Sequence, residues 1–294
     1  MSALLEILSP DFLLRDALIA SVLVGFVCPL VGVYFVLRRM IFLGVALPQV
    51  SAAGIAFSFL AYKTIVGPHE SLDMSERLLA IIGSFVFTLV ATVVLAALER
   101  RGKPTVEARI GTTYAVAAAA TILFLAQDPH GDAQMVNLLK GDILATTGAS
   151  LLWMTAVFAV VTAALLVFRK ELLLVSFDRD LAVVFGKRAG LWDLLLYLLI
   201  GLVISLGVMT AGPMATFGFL VVPPVTVRML AHRMITFSLG SALLGGATAF
   251  AGFYCAYRFD LPVGPAEVGL SSAVLLAVGA ATALRRALGR WQLA

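Results

Sequence analysis

The chain has 294 residues, of which 61% are hydrophobic and only 13% charged, with a formal net charge of +4 at pH 7. Soluble domains carry about 25% charged residues, and a mean hydropathy of +1.04 is more apolar surface than a water-soluble core can use, so a soluble enzyme is excluded. The positive excess sits in short segments between long apolar runs and reads as loop charge, with no nucleic-acid partner implied.

Eight runs contain no Asp, Glu, Lys or Arg: 17–37, 44–62, 78–98, 110–127, 149–168, 194–227, 234–257 and 268–284. Most match the ~20 residues with which a helix crosses ~30 Å of hydrocarbon. Lipid offers the backbone no hydrogen-bond partner, so each run is predicted to be a helix; the alternating segments of a membrane β-barrel are absent. The first run is too long, and lacks the basic start, for a cleavable signal peptide. Cys28 and Cys255 fall inside apolar runs and read as small core residues rather than a disulfide or a metal pair.

Run 194–227 is too long for one crossing. Ala211-Gly212-Pro213 offers a break, giving helices at about 194–211 and 214–230 and nine crossings in all. With Arg38-Arg39 in the cytoplasm, sixteen of the 21 basic residues face the cytoplasm and five face outward, as the positive-inside rule requires. One crossing in place of two would put Arg228, Arg233 and the basic C-terminus outside. The expected fold class is therefore an all-α integral membrane protein of about nine transmembrane helices. Residues 12–290 form one domain, with an external N-terminus and a cytoplasmic C-terminus; eight spans result if the first or seventh helix does not cross fully. The span interiors are expected to hold no buried ionisable group.

Four stretches differ from plain lipid-facing helix. In 38–49 a helix ends on Arg38-Arg39, turns, and restarts with Pro48 and Gln49 in its first turns. This is either a simple hairpin with snorkelling arginines or the start of a polar track through Gln49 and Ser51. Segment 135–149, with Lys140 and Asp142, is too short and polar to span and suits an external amphipathic or re-entrant helix. It follows a loop in which Asp128, His130 and Asp132 either are solvated or catch a metal ion. In 176–188, Leu181, Val184 and Phe185 share one face of a short cytoplasmic helix. Asp178 or Asp180 can cap its start and Gly186 its end; the helix lies on lipid or in a partner's groove. In 258–267, Asp260 and Glu267 stand at the external ends of the last two spans, as helix caps or facing a vestibule.

The order and spacing of several pieces then resemble the membrane permease subunits of the zinc/manganese/iron family of ABC importers. They are VLRRM…LG.AL at 36–47, GTTYAVAAA at 111–119, LLKGDILA at 138–145, DRDLAVVFGK at 178–187, GPMATFGFLVVPPVTVRML at 212–230 and FDLPVGPAEV at 259–268. The resemblance implies a permease fold similar to the vitamin B12 importer type, and a homodimer around a central pathway. It further implies a pair of cytoplasmic ATPase subunits, an external solute-binding protein, and a coupling helix comprising Asp178, Asp180, Leu181, Ala182, Val184, Phe185 and Gly186. The cytoplasmic membrane is the implied location, and no cofactor is called for. Consistently, the chain has no G-x-x-x-x-G-K-[ST] phosphate loop, so ATP must be handled by another subunit. Neither D-D-x-x-D nor H-E-x-x-H occurs, which argues against an intramembrane transferase or protease. An ion-driven secondary carrier usually needs intramembrane carboxylates.

Family members commonly read Gly-Asp-Ala-Leu-Ser-His where this chain reads Gly44-Val45-Ala46-Leu47-Pro48-Gln49. With the polar track and the external carboxylates, the candidate pathway and gate positions are Gly44, Val45, Gln49 and Ser51, with Asp260 and Glu267 outside. Val45 and Gln49 stand where a carboxylate and an imidazole, good ligands for Zn²⁺ or Mn²⁺, would be. Either a divalent ion passes with little direct coordination or with ligands from other groups, or the cargo is a metal chelate or another small solute.

Overall fold

A computed structural model describes residues 14–66, 74–99, 106–127, 141, 143 and 148–291. Among the described residues every regular element is helical. They are α1 (Arg15–Leu37), α2 (Leu43–Val66), α3 (Met74–Glu99), α4 (Val106–Leu125), α5 (Gly148–Val167), α6 (Arg169–Phe177), α7 (Arg179–Val184), α8 (Ala189–Arg228), α9 (Met234–Phe259) and α10 (Val263–Trp291). Eight of these are long and apolar enough to cross a membrane. Each covers all but at most two residues of one charge-free run, because the backbone has no alternative to helix in lipid. Helix α6 was not predicted. Most of the segment predicted as an external helix at 135–149 lies outside the described residues.

The 40 residues of α8 would extend ~60 Å if straight, twice the hydrocarbon thickness. Gly212 interrupts them with φ 81° and ψ 165°, a conformation open to glycine and not to residues with a Cβ, and Pro213 reinforces it by disfavouring helix at the residue before it. The chain folds back there. A Cβ on Gly207 would lie 3.0 Å from the Thr216 side chain, whereas residues nine apart in an unbroken helix are ~13.5 Å apart. Both ends of α8 accordingly meet the end of α1: Asp193 pairs with Arg38, and Val227 packs beside Val36 and Leu37. The predicted break is thus a helical hairpin with arms 189–211 and 213–228, and the described residues trace nine apolar passes.

Helices α1, α2 and α8 form the centre of the bundle, while α3, α4, α5 and α10 present mostly exposed apolar faces. Without a hydrophobic drive between helices in lipid, close backbone approach supplies the packing. Two crossings use one device. Pro29 leaves the carbonyl of Gly25 without its usual donor four residues on, and that carbonyl faces Gly245 of α9. Pro224 does the same to Leu220, whose carbonyl faces Gly32 of α1. Only a glycine lets a neighbouring backbone come that near, where Cα–H groups face the freed oxygen. At a third crossing, a Cβ on Gly54 of α2 would lie 2.6 Å from the Gly83 carbonyl of α3.

Candidate functional site

The turn between α1 and α2 is tight because Arg39 adopts a left-handed conformation, φ 58°. Gly44 in the first turn of α2 is buried against α1 and the second arm of α8; a Cβ there would lie 3.3 Å from Val221 and 3.5 Å from Phe35. Val45 and Gln49 stand one helical turn apart on one half-buried face. Ser51 is on the opposite side. It is fully buried, and its Oγ lies 2.6 Å from Ser84 Oγ of α3. Gln49 and Ser51 therefore lie on different faces of α2: Gln49 on the half-buried one, and Ser51 where its hydroxyl joins two helices.

At the other end of the bundle, Asp260 is exposed and closes α9 in a left-handed conformation, φ 52°, which Asp tolerates better than most residues. Glu267 is neither a cap nor on a vestibule wall in this conformation. It is fully buried in α10, packs against Gly252 of α9, and accepts a hydrogen bond from Ser21 Oγ of α1 through Oε1. Among the described residues, its Oε2 and the Ser271 hydroxyl one turn on have no hydrogen-bond partner. Asp193 is also buried, near the start of α8. These two carboxylates correct the expectation that the span interiors hold no buried ionisable group: each lies just beyond the edge of a charge-free run, and the helix carries it into the bundle. Asp128, His130 and Asp132 lie outside the described residues. Among the described residues no three His, Cys, Asp or Glu side chains converge, and His232 is exposed in the turn between α8 and α9.

Helix α7 stands on its own at the end of the bundle marked by Arg38. Asp178 Oδ1 accepts the Leu181 N–H at 2.9 Å, so Asp178, not Asp180, is the cap. Gly186, φ 73°, ends the helix; its N–H reaches the Val183 carbonyl at 2.9 Å and that of Lys187 reaches Ala182 at 3.0 Å, the paired bonds of a Schellman stop. Ala182 is fully buried, packing with Val175 and Ala189. Leu181, Val184 and Phe185 are 44%, 81% and 66% exposed, so one six-residue helix holds an apolar face free. Glu171 of α6 braces the unit through Lys187 Nζ, 3.4 Å away. Its own backbone N–H first, then Lys187, holds that carboxyl below the ordinary glutamate range.

Sequence reasoning missed a polar junction above α7. Arg38 Nη2 lies 2.9 Å from Asp193 Oδ1, its Nε donates to Ser176 Oγ at 3.1 Å, and its guanidinium lies over the Tyr197 ring at 5.7 Å. Arg179 Nε, on the first residue of α7, lies 3.5 Å from Asp193 Oδ2. In the sequence Arg38 reads as a positive-inside marker and a snorkelling helix end, and the one signal for its partner is Asp193 immediately preceding an apolar run.

Comparison with known proteins places these features. The profile of the ABC 3 transport family matches residues 11–282. The manganese import system permease protein ScaB of Streptococcus gordonii is 27% identical over 263 residues, covering 90% of this chain and 89% of that protein. The zinc transport system membrane protein TroC of Treponema pallidum is 27% identical over 256 residues, 86% of this chain and 82% of that one. The structure of PsaBC from Streptococcus pneumoniae in complex with Fab superposes with a TM-score of 0.80 at 25% identity, over 94% of both chains.

Proposed function

Because the chain belongs to the ABC 3 transport family, we propose that this multi-pass protein of the cytoplasmic membrane is the permease subunit of an ATP-driven importer whose cargo is a divalent metal ion of the zinc, manganese and iron group. It acts as a pair of identical copies, with ATPase subunits on the cytoplasmic side and a solute-binding protein outside. ATP hydrolysis belongs to the separate subunit, since this chain carries no phosphate loop. The names of the relatives support a metal cargo: permeases of manganese and zinc systems match over most of both chains.

The observation that carries the reading is α7. A capped helix with a free apolar face at the positively charged end of a membrane bundle is what a groove-forming partner requires. Transport then proceeds by alternating access. Closure of the ATPase pair displaces α7, the displacement tilts α1 and the α8 hairpin, and the region from Gly44 to Gly54 opens and closes the path. A broken helix such as α8 is tolerated in a membrane where its freed backbone is packed against protein or lines a cavity. Leu181→Asp combined with Phe185→Asp is expected to abolish co-purification of the ATPase with the permease. Retention of the ATPase by that double variant would remove α7 as the docking element.

A second reading, import of a metal chelate or other small solute, is favoured by the face at Val45 and Gln49, which offers no carboxylate or imidazole. Uptake of Mn²⁺, Zn²⁺ and Fe²⁺ by cells with and without the chain separates the two. Under the bare-ion reading the natural chain carries one of these ions. Under the chelate reading it carries none of them, and Val45→Asp with Gln49→His creates or raises metal uptake.

A further inference from the structure

Asp193 divides its carboxylate between two elements that the transport cycle must connect. Oδ1 faces Arg38 at the end of the membrane helix α1, at 2.9 Å, and Oδ2 faces Arg179 at the start of α7, at 3.5 Å. Asp193 itself belongs to the first arm of the α8 hairpin. Arg38 adds a hydrogen bond to Ser176, two residues before the Asp178 cap, and stacks on Tyr197 of the same arm. Three separate pieces of the chain thus converge on one buried carboxylate, with the Arg38 and Asp193 side chains only 11% and 8% exposed.

The alternative mechanical link is weak. Ala182 is the one residue of α7 that is buried; Leu181, Val183 and Val184 are exposed. The Ala182 methyl group, packed on Val175 and Ala189 beside Leu174 and Trp192, and the Lys187 contact with Glu171 at partly exposed side chains resist separation but do little to fix direction. The ion pairs are different. A guanidinium is planar, so the Nε hydrogen bond to Ser176, the ion-pair contact with Asp193 and the position over the Tyr197 ring together restrict the orientation of Arg38. Withdrawing Asp193 from it leaves a poorly hydrated charge, which is costly. Displacing α7 alone withdraws Arg179 from the Asp193 carboxylate, and displacing α7 together with α1 and the α8 arm keeps that contact.

We propose that Asp193, bridging Arg179 and Arg38, is a positioning residue for energy coupling: it makes α7, the end of α1 and the first arm of the α8 hairpin move as one body when the ATPases close. This rests on the reading of α7 as the ATPase docking element, and the test separates the two. The permease with its ATPase is reconstituted in lipid, with spin labels attached at Arg39→Cys and Val183→Cys in a chain carrying Cys28→Ala and Cys255→Ala. Both label sites are exposed.

With native Arg179 and Asp193 the distance between the labels stays constant when ATP binds. With Arg179→Gln, at a side chain 42% exposed and so tolerant of replacement, the ATPase still co-purifies but the distance changes with nucleotide. Cargo movement per ATP falls about tenfold, within the span usual for coupling between sites, and Arg179→Lys restores both. Asp193→Asn behaves as Arg179→Gln. A constant label distance in Arg179→Gln, with the ATPase bound, overturns the bridge and leaves the docking role of α7 intact. A distance that already changes in the native chain also overturns it. Failure of the native chain to hold the ATPase overturns both.

Discussion

Single side chains in this protein are fixed by what they meet across the bundle. Asp178 is the plainest local case: its carboxylate takes the Leu181 N–H, and Asp178→Ala is expected to destabilise α7 by about 1 kcal/mol, seen as faster amide exchange across 179–184. Its neighbour Glu171 responds to pH. The folded state holds that carboxyl below the ordinary value, so the brace to Lys187 contributes above the ordinary glutamate range and is lost as pH falls through the lowered folded value. Lys187→Gln is expected to move the Glu171 titration, followed by NMR, upward. Glu267 is the less local case. Glu267→Gln keeps an acceptor for Ser21 and is expected to leave thermal stability nearly unchanged. Glu267→Leu strands the buried Ser21 hydroxyl and is expected to cost about 1 kcal/mol. A large loss in Glu267→Gln would mean that the ionised form is what the bundle holds.

At the scale of elements, helix contacts depend on glycines placed opposite carbonyls freed by proline. Gly32 faces the Leu220 carbonyl and Gly245 faces that of Gly25, whereas Gly269 in α10 has open space around it. Alanine at either of the first two positions must push two helices apart, and overpacking of this kind costs about 1–3 kcal/mol. Gly32→Ala and Gly245→Ala are therefore expected to lower the melting temperature in detergent, and Gly269→Ala to leave it unchanged or raise it slightly, since alanine favours helix. Equal behaviour of all three would show that helix propensity, and not close approach, governs these sites. The hairpin at Gly212 obeys a different rule, because its positive φ makes any other residue strained whatever the space.

For the whole molecule, the hairpin decides the side on which everything after it lies. Asp193 and Val227 both meet the end of α1, so α7 and the turn between α8 and α9 share a face, and Leu261 beyond α9 lies on the other. In a chain without Cys28 and Cys255, cysteine at Val184, 81% exposed, is expected to resist a membrane-impermeant maleimide added to intact cells. Cysteine at Leu261, 50% exposed, is expected to react with it. Labelling of position 184 from outside would invert the topology and remove the cytoplasmic docking face with it.

Much of this architecture follows from local chemistry and was legible in the sequence. Length of apolar run, Gly-Pro at 212–213, a cap at Asp178 or Asp180 and the Gly186 stop each act over a few residues, so they mark where helices run, where the long one folds and how α7 is bounded, the structure then choosing Asp178. What they leave open is which helix faces which. That Ser51 meets Ser84, that Glu267 turns inward to Ser21, and that Arg38 and Arg179 share Asp193 were decided by tertiary packing. These partners lie far apart along the chain, and no local pattern records a contact whose energy appears only once the helices are side by side and the polar groups between them have lost every other partner.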